Sequence, residues 1–133
     1  MFKFMMNNKE WTIEEKDQLS IKRMLAEQSR KNGNKDNTTD AGAFYGVTFS
    51  DSHKIVLDKD LCEDRKQLTL YHELAHCYIM MYITHLDKTY DEEMVADIVS
   101  NSHEIIHKIA TDYFSRSEEG MFKKPKKNKG KKN

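Results

Sequence analysis

Residues 72–76 read His72-Glu73-Leu74-Ala75-His76, two histidines four positions apart with a glutamate beside the first. On a helix, side chains at i and i+4 lie one turn apart on the same face, so both imidazoles can aim a nitrogen at one ion. Neutral imidazole suits Zn²⁺, a borderline-soft cation. Glu73 sits about 100° round the helix from His72. That places it close to such an ion without being required as a ligand, where it can hold and deprotonate a zinc-bound water. The H-E-x-x-H pattern therefore points to metal-assisted hydrolysis.

Three protein ligands plus water make an open catalytic site, so a third ligand is needed. A histidine six residues after His76 is excluded, because position 82 is Tyr82. His85 lies beyond the expected end of the helix. The next helical stretch contains Glu93-Met94-Val95-Ala96-Asp97. Glu93 is a candidate carboxylate ligand. Asp97, one turn on, can accept the second ring N–H of a ligating histidine and fix its orientation. Glu92 lies nearer the apolar side of that helix and stands as the alternative ligand. Glu93 is favoured because it alone has an acidic partner four residues later. A second H-E-x-x-H, His103-Glu104-Ile105-Ile106-His107, has no strand before it and no E-x-x-x-D after it. Its polar residues fall opposite Met94, Ile98, Ile105 and Ile109 on a helical wheel, which reads as a solvent-facing side. If that side meets the cleft, His103 or His107 becomes an oxyanion stabiliser. Tyr71 and Tyr45 are further oxyanion candidates.

Elements must bring these residues together. Met1 to Met6 alternates loosely, as a short strand does. Thr12 precedes Glu15 at capping-box spacing, and apolar residues from Ile13 to Ala26 recur with helical period, predicting a helix from Ile13 to about Lys31. Trp11 would staple that helix to the core. Gly33 and Asn34 to Asp40 read as a loop. Ala43 to Phe49 and His53 to Asp58 read as strands of a hairpin, joined at Asp51-Ser52. A helix follows from about Glu63 to Ile83, then a loop from His85 to Tyr90, then a helix from about Asp91 to Phe114. The class is α+β, with a sheet of about three strands, a long N-terminal helix, the H-E-x-x-H helix and a glutamate helix. Cys77, one residue after a proposed ligand, reads as a buried small hydrophobe, and His53 as a surface residue.

A chain of 133 residues, 38% hydrophobic and 33% charged, fits one globular domain with a core of its own. Its longest apolar stretch, Cys77 to Ile83, falls short of the ~20 residues that span a bilayer. No basic segment leads into an apolar run at the start, so a membrane or secretory role is not expected. Two cysteines exclude a disulfide scaffold, and the expected compartment is the reducing cytoplasm. The zero net charge conceals an asymmetry. Residues 1–120 hold 15 basic and 22 acidic residues, whereas 121–133 hold seven lysines and no acid. The expected organisation is a domain over 1–120 and a disordered lysine-rich tail over 121–133, with weak nucleic-acid contact through the tail as its sharper reading.

These residues resemble the gluzincins, zinc peptidases in which H-E-x-x-H is followed by a helix carrying E-x-x-x-D. Within that group the chain looks most like the ImmA/IrrE-type metallopeptidase domain often encoded by bacteria and their phages. The likeness spans about Ala43 to His103: the Gly46 strand, the Lys54 to Asp58 strand, Leu70 to His76, and Glu93, Ala96 and Asp97 of the E-x-x-A-N/D motif. Ala75 stands where the family often has glycine. The resemblance implies a minimal zincin with a Zn²⁺ held by His72, His76 and Glu93, and Glu73 as catalytic base. It also implies a narrow protein substrate, such as a repressor cut in stress or mobile-element switching. No helix-turn-helix is evident.

The expected function is a zinc metalloendopeptidase acting on a protein or peptide substrate, held extended by strand addition to His53–Asp58. The alternatives are a zincin-like module that binds protein without cutting it, and a nucleic-acid-associated adaptor acting through the tail. The intact Glu73 favours the enzyme, since a structural zinc site has no need of a base.

Overall fold

The computed structural model describes residues 1–31, 44–83 and 91–122. In chain order the elements are β1 (Phe2–Met6), β2 (Lys9–Lys16), α1 (Gln18–Lys31), β3 (Gly46–Phe49), β4 (Lys54–Asp58), α2 (Glu63–Tyr82) and α3 (Glu92–Phe122). The strands form one sheet in the order β1-β2-β4-β3. β2 and β4 run parallel, and the two outer pairs are antiparallel. The α+β class stands, with four described strands where about three were expected.

The extra strand, β2, occupies the first part of the expected N-terminal helix. Two local features outweigh the helical reading. Asn7 and Asn8 take positive φ of 51° and 65°, the pattern of a two-residue type I′ turn, and Met6 pairs with Lys9 across it. From there Trp11, Ile13 and Glu15 alternate with Thr12, Glu14 and Lys16, a period of two that buries Trp11 and Ile13. The Thr12–Glu15 spacing is thus not a capping box. α1 starts five residues later, where the Asp17 carboxylate accepts the Ser20 N–H at 2.8 Å and caps the first turn. Trp11 is no helix staple. It lies fully buried in β2, with its ring 4.6 Å from that of His53 and 6.3 Å from that of Phe4. His53 is accordingly half-buried rather than a surface residue.

The sheet has a layer on each face. On one, Ile55 and Leu57 of β4 join Trp11 and Ile13 against Leu70, Leu74 and Cys77 of α2 and Ile106, Ile109 and Tyr113 of α3. On the other, Val56 and Phe49 pack with Ile21 of α1. The turn at Asn7 is latched to the end of α2: its N–H donates to the Tyr82 hydroxyl at 2.9 Å and its side-chain amide to the Met81 carbonyl at 2.7 Å. That second bond satisfies one of the carbonyls every helix leaves unpaired at its C-terminus. α2 covers its predicted span, and α3 runs beyond the expected end at Phe114 to Phe122. The expected loops at 33–40 and 85–90 lie outside the described residues; of the tail expected over 121–133, Met121 and Phe122 belong to α3 and the rest lies outside the described residues. Among the described residues no helix is long and apolar enough to cross a membrane.

Candidate active site

The sequence of α2 divides its circumference. Leu70, Leu74 and Cys77 face the core and are fully buried. At 100° per residue, Arg65, His72 and His76 fall within about 40° of one another on the outward ridge. Glu73 is turned from that ridge toward β3, and Tyr71 is turned the other way, toward α3.

His72 and His76 come together with ring centroids 4.9 Å apart and planes at 80°. An ion about 2.0–2.1 Å from one nitrogen of each ring, at tetrahedral angles, places the centroids about 5 Å apart. The observed separation is the one such a site requires of its two rings. The second motif departs from it. His103 and His107 stack at 5.8 Å with planes only 9° apart, so their in-plane lone pairs do not converge on one point. His107 Nδ1 is moreover engaged with the Tyr71 hydroxyl at 2.8 Å. Tyr71 is thus tied to α3, on the far side of α2 from Glu73.

Glu73 is 6% exposed, and the Thr48 hydroxyl donates to its Oε1 at 2.6 Å. Thr48 reaches it because β3 lies directly on α2. A Cβ placed on Gly46 would meet Thr69 Cγ2 at 2.6 Å and Glu73 Cγ at 3.2 Å, so only glycine allows this approach. Glu73 also raises the neighbouring thiol: burial first, and the nearby carboxylate second, push Cys77 well above the usual range, which leaves it an inert core residue. Thr48 and Gly46 carry the site's geometry, yet neither belongs to the H-E-x-x-H pattern. Their only signal was the small residue and hydroxyl at alternate positions of the strand before the motif.

Among the described residues, β3 is an edge of the sheet. The Asp58 N–H donates to the Tyr45 carbonyl at 2.9 Å, so Tyr45, Val47 and Phe49 direct their backbone groups to β4. Gly46 and Thr48 then direct theirs outward, beside Glu73. This corrects the strand expected to hold a substrate: β4, with β2 and β3 on its two sides, has no free edge. Between β3 and α2 opens a cleft of about 500 Å³ that includes Tyr45, Arg65, Leu68, His72 and Glu73 in its lining.

Glu92, Glu93 and Asp97 lie exposed on the first two turns of α3, which is capped by the Asp91 carboxylate at 2.8 Å from the Met94 N–H. The structure does not gather Glu93 with the histidine pair: among the described residues no three His, Cys, Asp or Glu side chains form a group able to hold an ion. His85 is outside the described residues. No protein-family model, no curated protein and no solved structure matches the chain.

Proposed function

We propose that the protein is a zinc-dependent metallopeptidase of the gluzincin type, similar to the ImmA/IrrE-like domains, that cuts a protein or peptide with narrow specificity. One observation carries the reading. A histidine pair with ring centroids 4.9 Å apart stands beside a buried glutamate whose carboxylate is held by Thr48, next to a strand that is an edge of the sheet among the described residues. His72 and His76 would hold the ion; Glu93, supported by Asp97, is the proposed third ligand although the structure does not gather it with the pair. When bound, zinc would polarise the peptide carbonyl and lower the pKa of water.

The chain's own residues supply the rest. Gly46 and Thr48 offer backbone N–H and C=O groups to a peptide added along β3, which brings its scissile bond over α2. The Thr48 hydroxyl fixes Oε1 of Glu73 and so sets where the second oxygen, Oε2, stands. That oxygen takes the proton of the attacking water and delivers it to the leaving nitrogen. The two free cysteines, Cys62 exposed and Cys77 buried, suit a reducing compartment.

Glu73→Gln tests the assignment. Incubated with a mixture of proteome-derived peptides, the zinc-loaded wild type generates new N-termini. The variant keeps the fold and its zinc but loses roughly 10²–10⁴ in rate, the size of a lost general base. Cleavage at the wild-type rate by Glu73→Gln would remove the proposed mechanism.

A further inference from the structure

Three side chains of the cleft have no part in the chemistry above: Tyr45, Arg65 and Leu68. Leu68 is 64% exposed and Tyr45 49%, both large residues held open to solvent beside the edge strand. The Arg65 guanidinium lies over the Tyr45 ring, 5.1 Å from its centroid. A cation–π contact leaves the guanidinium's N–H donors available, and their fork suits bidentate capture of a carboxylate. Arg65 enters none of the ion pairs among the described residues. That is notable in a body where residues 1–120 have 22 acids to 15 bases, so that a carboxylate partner was abundantly available.

The spacing along the two elements agrees. Arg65 precedes Glu73 by eight helical residues, about 12 Å of rise. Tyr45, just before β3, meets Arg65 and precedes Thr48, which holds Glu73, by three residues, about 10 Å of extended chain. A peptide laid along β3 would therefore cross both points. We propose that the cleft takes an extended peptide bearing an aspartate or glutamate about three residues from the bond over Glu73, and that Arg65, backed by Tyr45, selects that acid. The peptide-docking part stands on β3 and Arg65 alone. The position relative to a cut bond rests on the peptidase reading.

The test uses a membrane-bound array of octapeptides in which each position is varied among aspartate, glutamine and lysine. It is probed with the full chain carrying Glu73→Gln, so that bound peptides are not consumed. At one position aspartate should strengthen binding about tenfold over glutamine, the worth of a hydrogen-bonded charge pair. Adding Arg65→Glu should turn that preference to lysine. The substitution sits in the exposed first turn of α2, where an acid suits the helix dipole, and circular dichroism should show an unchanged fold. A preference that is absent, or the same in both proteins, overturns the selection by Arg65. Selection that follows residue 65, joined to no cleavage of those peptides by the zinc-loaded wild type, keeps the acid-selecting cleft and removes the peptidase. Cleavage without acid preference does the opposite.

Discussion

At the scale of single residues, Glu73, the proposed base, is held by a strand neighbour and a missing side chain. Thr48→Val deletes the hydroxyl that orients Glu73 and leaves a shape of similar volume. Peptide hydrolysis should fall by about tenfold, the worth of one hydrogen bond to a charged group, while zinc content is retained. Unchanged turnover would show that Glu73 needs no such positioning. Gly46→Ala drives a methyl into Thr69 Cγ2, at 2.6 Å, and into the Glu73 stem. Overpacking of this kind costs about 1–3 kcal/mol. Thr69→Ser removes the closest offending atom, so the double variant should recover most of the loss in a urea titration. Failure of that rescue would place the strain elsewhere. The histidine pair and Glu73 were legible in the sequence because the helical repeat alone dictates their relation. Thr48 and Gly46 were not, since their importance depends on which strand forms the edge and lies on α2. That is a non-local choice that no short motif encodes.

The elements show the same division. α2 and β4 were readable as uninterrupted runs, β4 set off by the turn at Asp51-Ser52. β2 was misread because Ile13 through Ala26 satisfy a helical period, while Trp11, Ile13 and Glu15 also satisfy a period of two. The Asn7-Asn8 turn decides between them by folding the chain back on itself, and a two-asparagine turn is a weaker signal than Asn-Gly. Asn8→Gly removes the positive-φ penalty at 65° and should raise stability by about 0.5–1 kcal/mol. A loss of that size instead would contradict the type I′ assignment. The start of α2 invites a second test. Cys62 occupies the N-cap in extended conformation but makes no side-chain cap bond. Cys62→Ser supplies the missing acceptor and should raise the urea midpoint by the equivalent of about 0.5–1 kcal/mol.

Across the whole molecule, charged residues of β2 tie the sheet to the helices on one face and join neighbouring strands on the other. On one face Glu15 accepts from Lys66 of α2 at 2.9 Å and from the Tyr113 hydroxyl of α3. Burial first, then the hydrogen bond and charge of Glu15, push Tyr113 far above its ordinary range, so it stays a donor. On the other face Glu14 pairs with Lys54 at 3.1 Å and Lys16 at 3.4 Å. Partial burial works to raise its carboxyl, but the two lysines outweigh that and hold it below its ordinary value of 4.5. A carboxylate lowered in the folded state contributes stability at pH values above its unfolded pKa, and that stability is lost as pH falls through the folded value. Glu14→Gln should therefore cost about 0.5–1 kcal/mol at neutral pH and next to nothing near pH 3. An equal cost at both would show that the ion pairs contribute nothing. The α+β class was accessible from element types alone. The parallel β2–β4 pairing was not, because it follows from burying Trp11, Ile13, Ile55 and Leu57 against both α2 and α3.

The claim on which the enzyme rests is that one ion is held by His72, His76 and a glutamate of α3. Elemental analysis of the full chain, purified without added metal, tests it most directly, with His76→Ala, Glu93→Gln and Glu92→Gln in parallel. One zinc per chain is expected in the wild type and in Glu92→Gln, with loss of it in His76→Ala and weakened retention in Glu93→Gln. A chain that binds no zinc when the metal is supplied, or that binds it equally well without His76, would show that the histidine pair holds no such ion.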